Sequence, residues 1–196
     1  MKVFSSKSAM IKKMWLNQFA FSLFGLFVAS PFTGNLCIIA GIFSYLFYLF
    51  VVGYSVIDDA QKDKIKLDAG RGEGLCALTG LKYSLIAFLP SFLVTFGYMI
   101  STFFVKVSGV VSTIVFVIVK YAFCGEILGI DIGLTKYRYA EDTLTRVSDA
   151  PESILFMSEH AIFQLIFIVL SVILLSVVYY LAFSGIIRLK TSEEKK

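Results

Sequence analysis

Charge is what this sequence has least of. Only 16% of its 196 residues are Asp, Glu, Lys or Arg, where a soluble domain carries about a quarter. Histidine occurs once, as His160, which excludes an HExxH zinc helix and any His-Cys metal set. Beside Glu159, at the head of an apolar run, it reads as an interfacial residue. The three cysteines, Cys37, Cys76 and Cys124, form no CxxC pair and give no disulfide or zinc framework. A GxSxG elbow, a P-loop and a dinucleotide fingerprint are all missing, so the commonest hydrolase and nucleotide chemistries have no foothold. From these absences we expect no enzyme, no cofactor and no bound metal.

What the chain does have is long apolar runs. Mean hydropathy is +0.82 and 58% of residues are hydrophobic, with charge gathered at residues 2–13, 58–82, 120–159 and 188–196. Crossing about 30 Å of hydrocarbon takes about 20 apolar residues in a helix. The expectation is an all-α, polytopic integral membrane bundle forming one domain. It has five transmembrane helices, at about 16–32, 36–57, 83–105, 107–124 and 161–187, and polar loops at 58–82 and 131–160. The alternative is four helices plus a re-entrant segment at 107–124, whose uncharged core between Lys106 and Lys120 is short. Lys2, Lys7, Lys12 and Lys13 followed by Trp15 mark a membrane interface at the first run. Val28-Ala29-Ser30 resembles a signal-peptidase site, but Pro31 directly after it makes cleavage poor, so this segment is expected to stay.

The less apolar residues of the spans are ordered. Cys37, Gly41, Ser44, Tyr45, Tyr48 and Ser55 fall on one side of the second helix at 3.6 residues per turn, and Ser84, Ser91, Thr95, Tyr98 and Thr102 do so on the third. Gln164, Ser171 and Tyr179 share a face of the last. Small hydroxyl residues in such stripes let membrane helices approach and hydrogen-bond across their interface. The competing reading makes Ser44, Tyr45, Tyr48, Ser91, Thr95, Tyr98 and Gln164 the lining of a solute site near Pro90, which lies mid-span and removes an amide donor.

Two loop constellations compete with these stripes. Asp59 and Asp63, four apart, share a helical face and could hold a Mg²⁺-diphosphate. Lys62, Lys64 and Lys66 beside them favour a solvated mixed-charge turn instead. Arg71 within Gly70-Arg71-Gly72-Glu73-Gly74 could meet a phosphate or lipid headgroup, although a glycine hinge is the simpler account.

The net charge of +4 sits where cations anchor spans at headgroups, so we expect a lipid bilayer as partner and no nucleic acid. Basic residues place the N-terminus and the loop 58–82 in the cytoplasm of a cell-membrane protein, and they leave the side of the tail open. The first functional expectation is a non-enzymatic accessory or assembly subunit, with a membrane protein partner or a homo-oligomer. A small-solute transporter or permease subunit comes second, and a membrane enzyme acting on lipid diphosphates third.

Overall fold

The computed structural model describes residues 3–29, 31–32, 35–72, 74–104, 129–130 and 158–189. Among these, four long helices and no strand appear: α1 (Val3–Ala29), α2 (Asn35–Asp68), α3 (Thr79–Phe104) and α4 (Ser158–Phe183). Three helices are long and apolar enough to cross a membrane, α2 as a whole, α3 over Thr79–Gly97 and α4 over Ile162–Phe183. The regular elements of the described residues are thus all helical, with three helices suited to crossing a membrane. α1, expected as the span 16–32, is not one of the three. It starts far upstream of that range and carries Lys12, Lys13, Asn17 and Gln18 along its length.

α2 departs most from expectation. It does not stop at Ile57 but continues to Asp68, so eleven residues of the expected loop 58–82 are helical. Side-chain pairs one turn apart support the extension: Lys62 with Asp58, Lys64 with Asp68 at 3.5 Å, and Lys66 with Asp63 at 2.9 Å. At about 1.5 Å per residue its 34 residues span about 51 Å, well beyond the hydrocarbon thickness. The helix ends where Gly70 turns to φ 70°. Gly70 N–H then reaches Leu67 O and Arg71 N–H reaches Lys66 O, both at 2.9 Å, the paired bonds of a Schellman cap.

The same device closes α4 short of the expected Ile187. Gly185 takes φ 77°, its N–H bonds to Ala182 O at 3.1 Å, and Ile186 N–H bonds to Leu181 O at 3.0 Å. A side chain at that φ is strained. Gly185→Ala should therefore cost about 1 kcal/mol and loosen the last turn of α4, read as faster amide exchange at Ile186.

Contacts between helices fix their directions. Lys13 of α1 pairs with Asp59 near the end of α2 at 3.4 Å, while Gly25 lies near Ser44 at its start, so α1 and α2 are antiparallel. Near the end of α4, Tyr179 reaches Asp63 at 3.1 Å, and Ile187 O accepts from Gln61 Nε2 at 3.4 Å. Gly80, opening α3, lies under the Tyr179 ring. The start of α1, the end of α2, the start of α3 and the end of α4 therefore meet on one face, called here the polar face.

Polar stripes turn inward and apolar side chains outward. Phe27, Phe50 and Ile39 are among the exposed apolar residues, as expected where the surrounding solvent is lipid rather than water. Toward the opposite face, backbone meets backbone. Gly129 and Ile130, both buried and helical, sit against Gly25, Gly41 and Ser44, and a Cβ on Gly41 would stand 2.5 Å from the Gly129 carbonyl oxygen. The expected segment 107–124 and most of the loop 131–160 lie outside the described residues.

Candidate functional site

The sequence stripes converge inside the bundle. Ser44, Tyr45 and Tyr48 of α2, Ser91 and Thr95 of α3 and Gln164 of α4 are all buried. The side chain of Tyr98 lies outside the described ones. Tyr45 OH donates to Phe167 O at 3.2 Å and stands 3.0 Å from Ser171 Oγ, which donates to the same carbonyl at 2.8 Å. One α4 carbonyl thus takes a hydroxyl from its own helix and another from α2. Tyr48, Ser91, Thr95 and Gln164 each interact with a neighbour as well.

A second polar group ties α1 to α3 at Pro90. Proline withdraws the amide that would reach Ile86 O. One residue further on, Ala87 O accepts from Trp15 Nε1 at 2.9 Å and from Gln18 Nε2 at 3.5 Å. α3 passes through Pro90 without a break, its neighbouring carbonyl supplied from outside. Trp15→Phe removes the shorter of these bonds while keeping an aromatic ring. The expected loss is about 1 kcal/mol, measured as a lower unfolding free energy in detergent.

The third group lies at the polar face and contains two of the three expected loop residues. Asp63 continues the buried α2 stripe beyond Val52, Val56 and Ala60 and is only 5% exposed. One of its carboxylate oxygens accepts from Lys66 Nζ at 2.9 Å, the other from Tyr179 OH at 3.1 Å. Asp59, one turn earlier, takes Lys13 at 3.4 Å. Tyr83 stands edge-on to Tyr179 with ring centroids 6.1 Å apart, and Phe183 stacks on the other ring of the pair, Tyr179, at 5.8 Å. Arg71 does not join this group. It is exposed, one residue beyond the cap glycine, and makes no ion pair among the described residues.

This arrangement bears on the reaction classes weighed above. A nucleophile hydrogen-bonded to a base would be needed for acyl or phosphoryl chemistry, and Tyr179 donates to a carboxylate that a lysine also occupies. A magnesium-diphosphate site wants several free carboxylates. Asp59 and Asp63 each already hold a lysine, and no cluster of three or more metal-ligating side chains occurs among the described residues.

Sequence reasoning missed Tyr179 and Lys13 as partners of the two aspartates, and Tyr83 as the ring packed on Tyr179. A local signal existed for Asp63: extending the stripe of Tyr45, Tyr48 and Val52 at helical spacing beyond Ile57 brings it inward. No local signal existed for its partner, 116 residues away in the chain.

Cys76, in the turn before α3, is exposed. Thr79 Oγ1 donates to its Sγ at 3.6 Å, and this bond, with the Leu78 amide beside it, holds the thiol below its ordinary range. A lowered value means that thiolate, and so alkylation, sets in at lower pH than for a free cysteine. In a Cys124→Ser background, maleimide should label Cys76 and spare the buried Cys37, and Thr79→Val should move the rate profile to higher pH.

A search of family models, of curated proteins and of solved structures finds no match to this chain.

Proposed function

We propose that the protein is a non-enzymatic subunit of a membrane assembly, resident in the cell membrane. Its start, the turn between α2 and α3 and its C-terminal tail are placed in the cytoplasm. The observation that carries this reading is the bond set of Tyr45 and Ser171 on Phe167 O. Polar groups of a solute pathway must stay available to a passing ligand, whereas these are spent on joining helices. The shared polar face supports the sidedness: with it inside, thirteen of the eighteen cations lie in the cytoplasm. That face also favours an even number of crossings, as in the arrangement of four spans plus a re-entrant segment.

Copurification of the full chain from mild detergent tests the reading. A membrane protein held at fixed stoichiometry, or a homo-oligomer, is expected. A monomer whose thermal stability rises with a specific solute, and whose uptake activity falls on replacing Tyr48 and Thr95, would overturn it in favour of a transporter. Impermeant maleimide should reach Cys76 only after permeabilisation, and labelling of intact cells would reverse the assigned orientation.

A further inference from the structure

At the polar face every carboxylate of α2 already has its cation. Asp58 pairs with Lys62, Asp59 with Lys13, Asp63 with Lys66 and Asp68 with Lys64. This pairing leaves a surplus. Lys12, Lys82 and Arg188 are exposed, and none of them has a carboxylate partner among the described residues. They come from three separate elements and share one level. Lys12 precedes Lys13, which meets Asp59. Lys82 lies two residues after Gly80, which packs under the Tyr179 ring whose hydroxyl reaches Asp63. Arg188 follows Ile187, whose carbonyl takes Gln61. All three therefore stand abreast of Asp59 to Asp63 on α2, just past the apolar run that ends at Ile57.

We propose that Lys12, Lys82 and Arg188 form a docking surface for anionic phospholipid headgroups in the leaflet against the polar face. A leaflet is a plane of phosphates, so the three cations need a common level and not a common point. Charge selects the headgroup. A zwitterionic lipid brings its own ammonium and cannot offset three unpaired cations, whereas an anionic one does. The neighbours of the cations favour a lipid over an acidic protein segment. Leu16 lies one turn deeper than Lys12, and Ile86 one turn deeper than Lys82. Both are exposed and, four residues on, share the face of their cation. Ile186, beside Arg188, is exposed too. Charge at the rim with apolar surface below it complements a charged head with its acyl chains, and an acidic peptide would meet the charge alone. Arg71 is the contrast. It is exposed and without an ion pair, but it lies past the end of α2 at Asp68, which is about 8 Å further along the axis than Asp63. The surface goes beyond the assembly reading: it rests on membrane residence and needs no partner subunit.

The test titrates the full-length protein in mild non-ionic detergent with phosphatidylglycerol, or with phosphatidylcholine of the same acyl chains, and follows the thermal midpoint. A saturable rise is expected that sets in at a lower mole fraction of phosphatidylglycerol and weakens as sodium chloride is raised. Lys12→Gln, Lys82→Gln and Arg188→Gln should each weaken apparent phosphatidylglycerol affinity about fivefold, and the triple variant about a hundredfold. Arg71→Gln should change it by no more than about twofold. Identical titrations with the two lipids would overturn the proposal while leaving membrane residence intact. A preference for phosphatidylglycerol undiminished in the triple variant would place the lipid elsewhere and also overturn it. Stabilisation by a polyglutamate peptide equal to that by phosphatidylglycerol would overturn it in favour of an acidic protein segment. The wild-type comparison of the two lipids requires no variant to fold.

Discussion

Gly41→Val is expected to be the most damaging single substitution in the bundle, lowering unfolding free energy by about 3 kcal/mol, the upper end of overpacking costs. The reason is what the new Cβ meets. It would lie 2.5 Å from the Gly129 carbonyl oxygen and 2.8 Å from Ile130 Cα. Both are backbone atoms, so no rotamer change relieves the clash, and one helix must back away. Gly53 on the same helix is the control, because a Cβ there meets nothing within 4 Å. Gly53→Ala should cost little or even stabilise through helix propensity. Unfolding in graded denaturing detergent, with the two variants side by side, checks the contrast. Equal effects at the two positions would refute close packing at Gly41.

Removing the Asp63–Tyr179 bond should have the next largest effect. Hydrogen bonds to charged groups are worth about 1.5–3 kcal/mol, and both partners here are buried. Tyr179→Phe leaves the Asp63 carboxylate with Lys66 alone, and Asp63→Asn leaves Lys66, 41% exposed, free to turn to water. The second loss is therefore partly offset by solvent. The double variant should be less damaging than the sum of the single ones, with a coupling of about 1–2 kcal/mol. Additive effects would show that the two side chains do not act as a pair. Because the bond ties α4 to α2, each variant should also speed proteolysis beyond Phe183 while sparing the α1–α2 pair.

The two results mark what was legible in the sequence and what was not. At Gly41 the stripe of Cys37, Gly41, Ser44, Tyr45 and Tyr48 announced a packed face by spacing alone, because helical periodicity is local. The identity of its occupant, Gly129, was not legible, since nothing local in a short apolar stretch names the helices it enters between. Asp58–Asp68 illustrates a different failure. Its charge density read as loop, yet Asp58 with Lys62 and Lys64 with Asp68 are spaced as helix pairs, so the extension of α2 was readable and was overridden by composition. The expected end of the last span at Ile187 failed at Gly185, whose cap outweighs the apolar residues that follow it. Trp15 was taken as an interfacial anchor, and its indole instead serves a carbonyl beside Pro90, a role set by tertiary contact.

The placement of Tyr179 carries a consequence for biogenesis. A ribosome delivers α1, α2 and α3 long before α4, so during synthesis the Asp63 carboxylate waits with Lys66 but without its phenol. Only the last helix to emerge supplies that donor and covers Gly80. A nascent chain cut short before Ile162 would display an unfinished acidic notch to quality-control proteases, whereas the completed polypeptide conceals it.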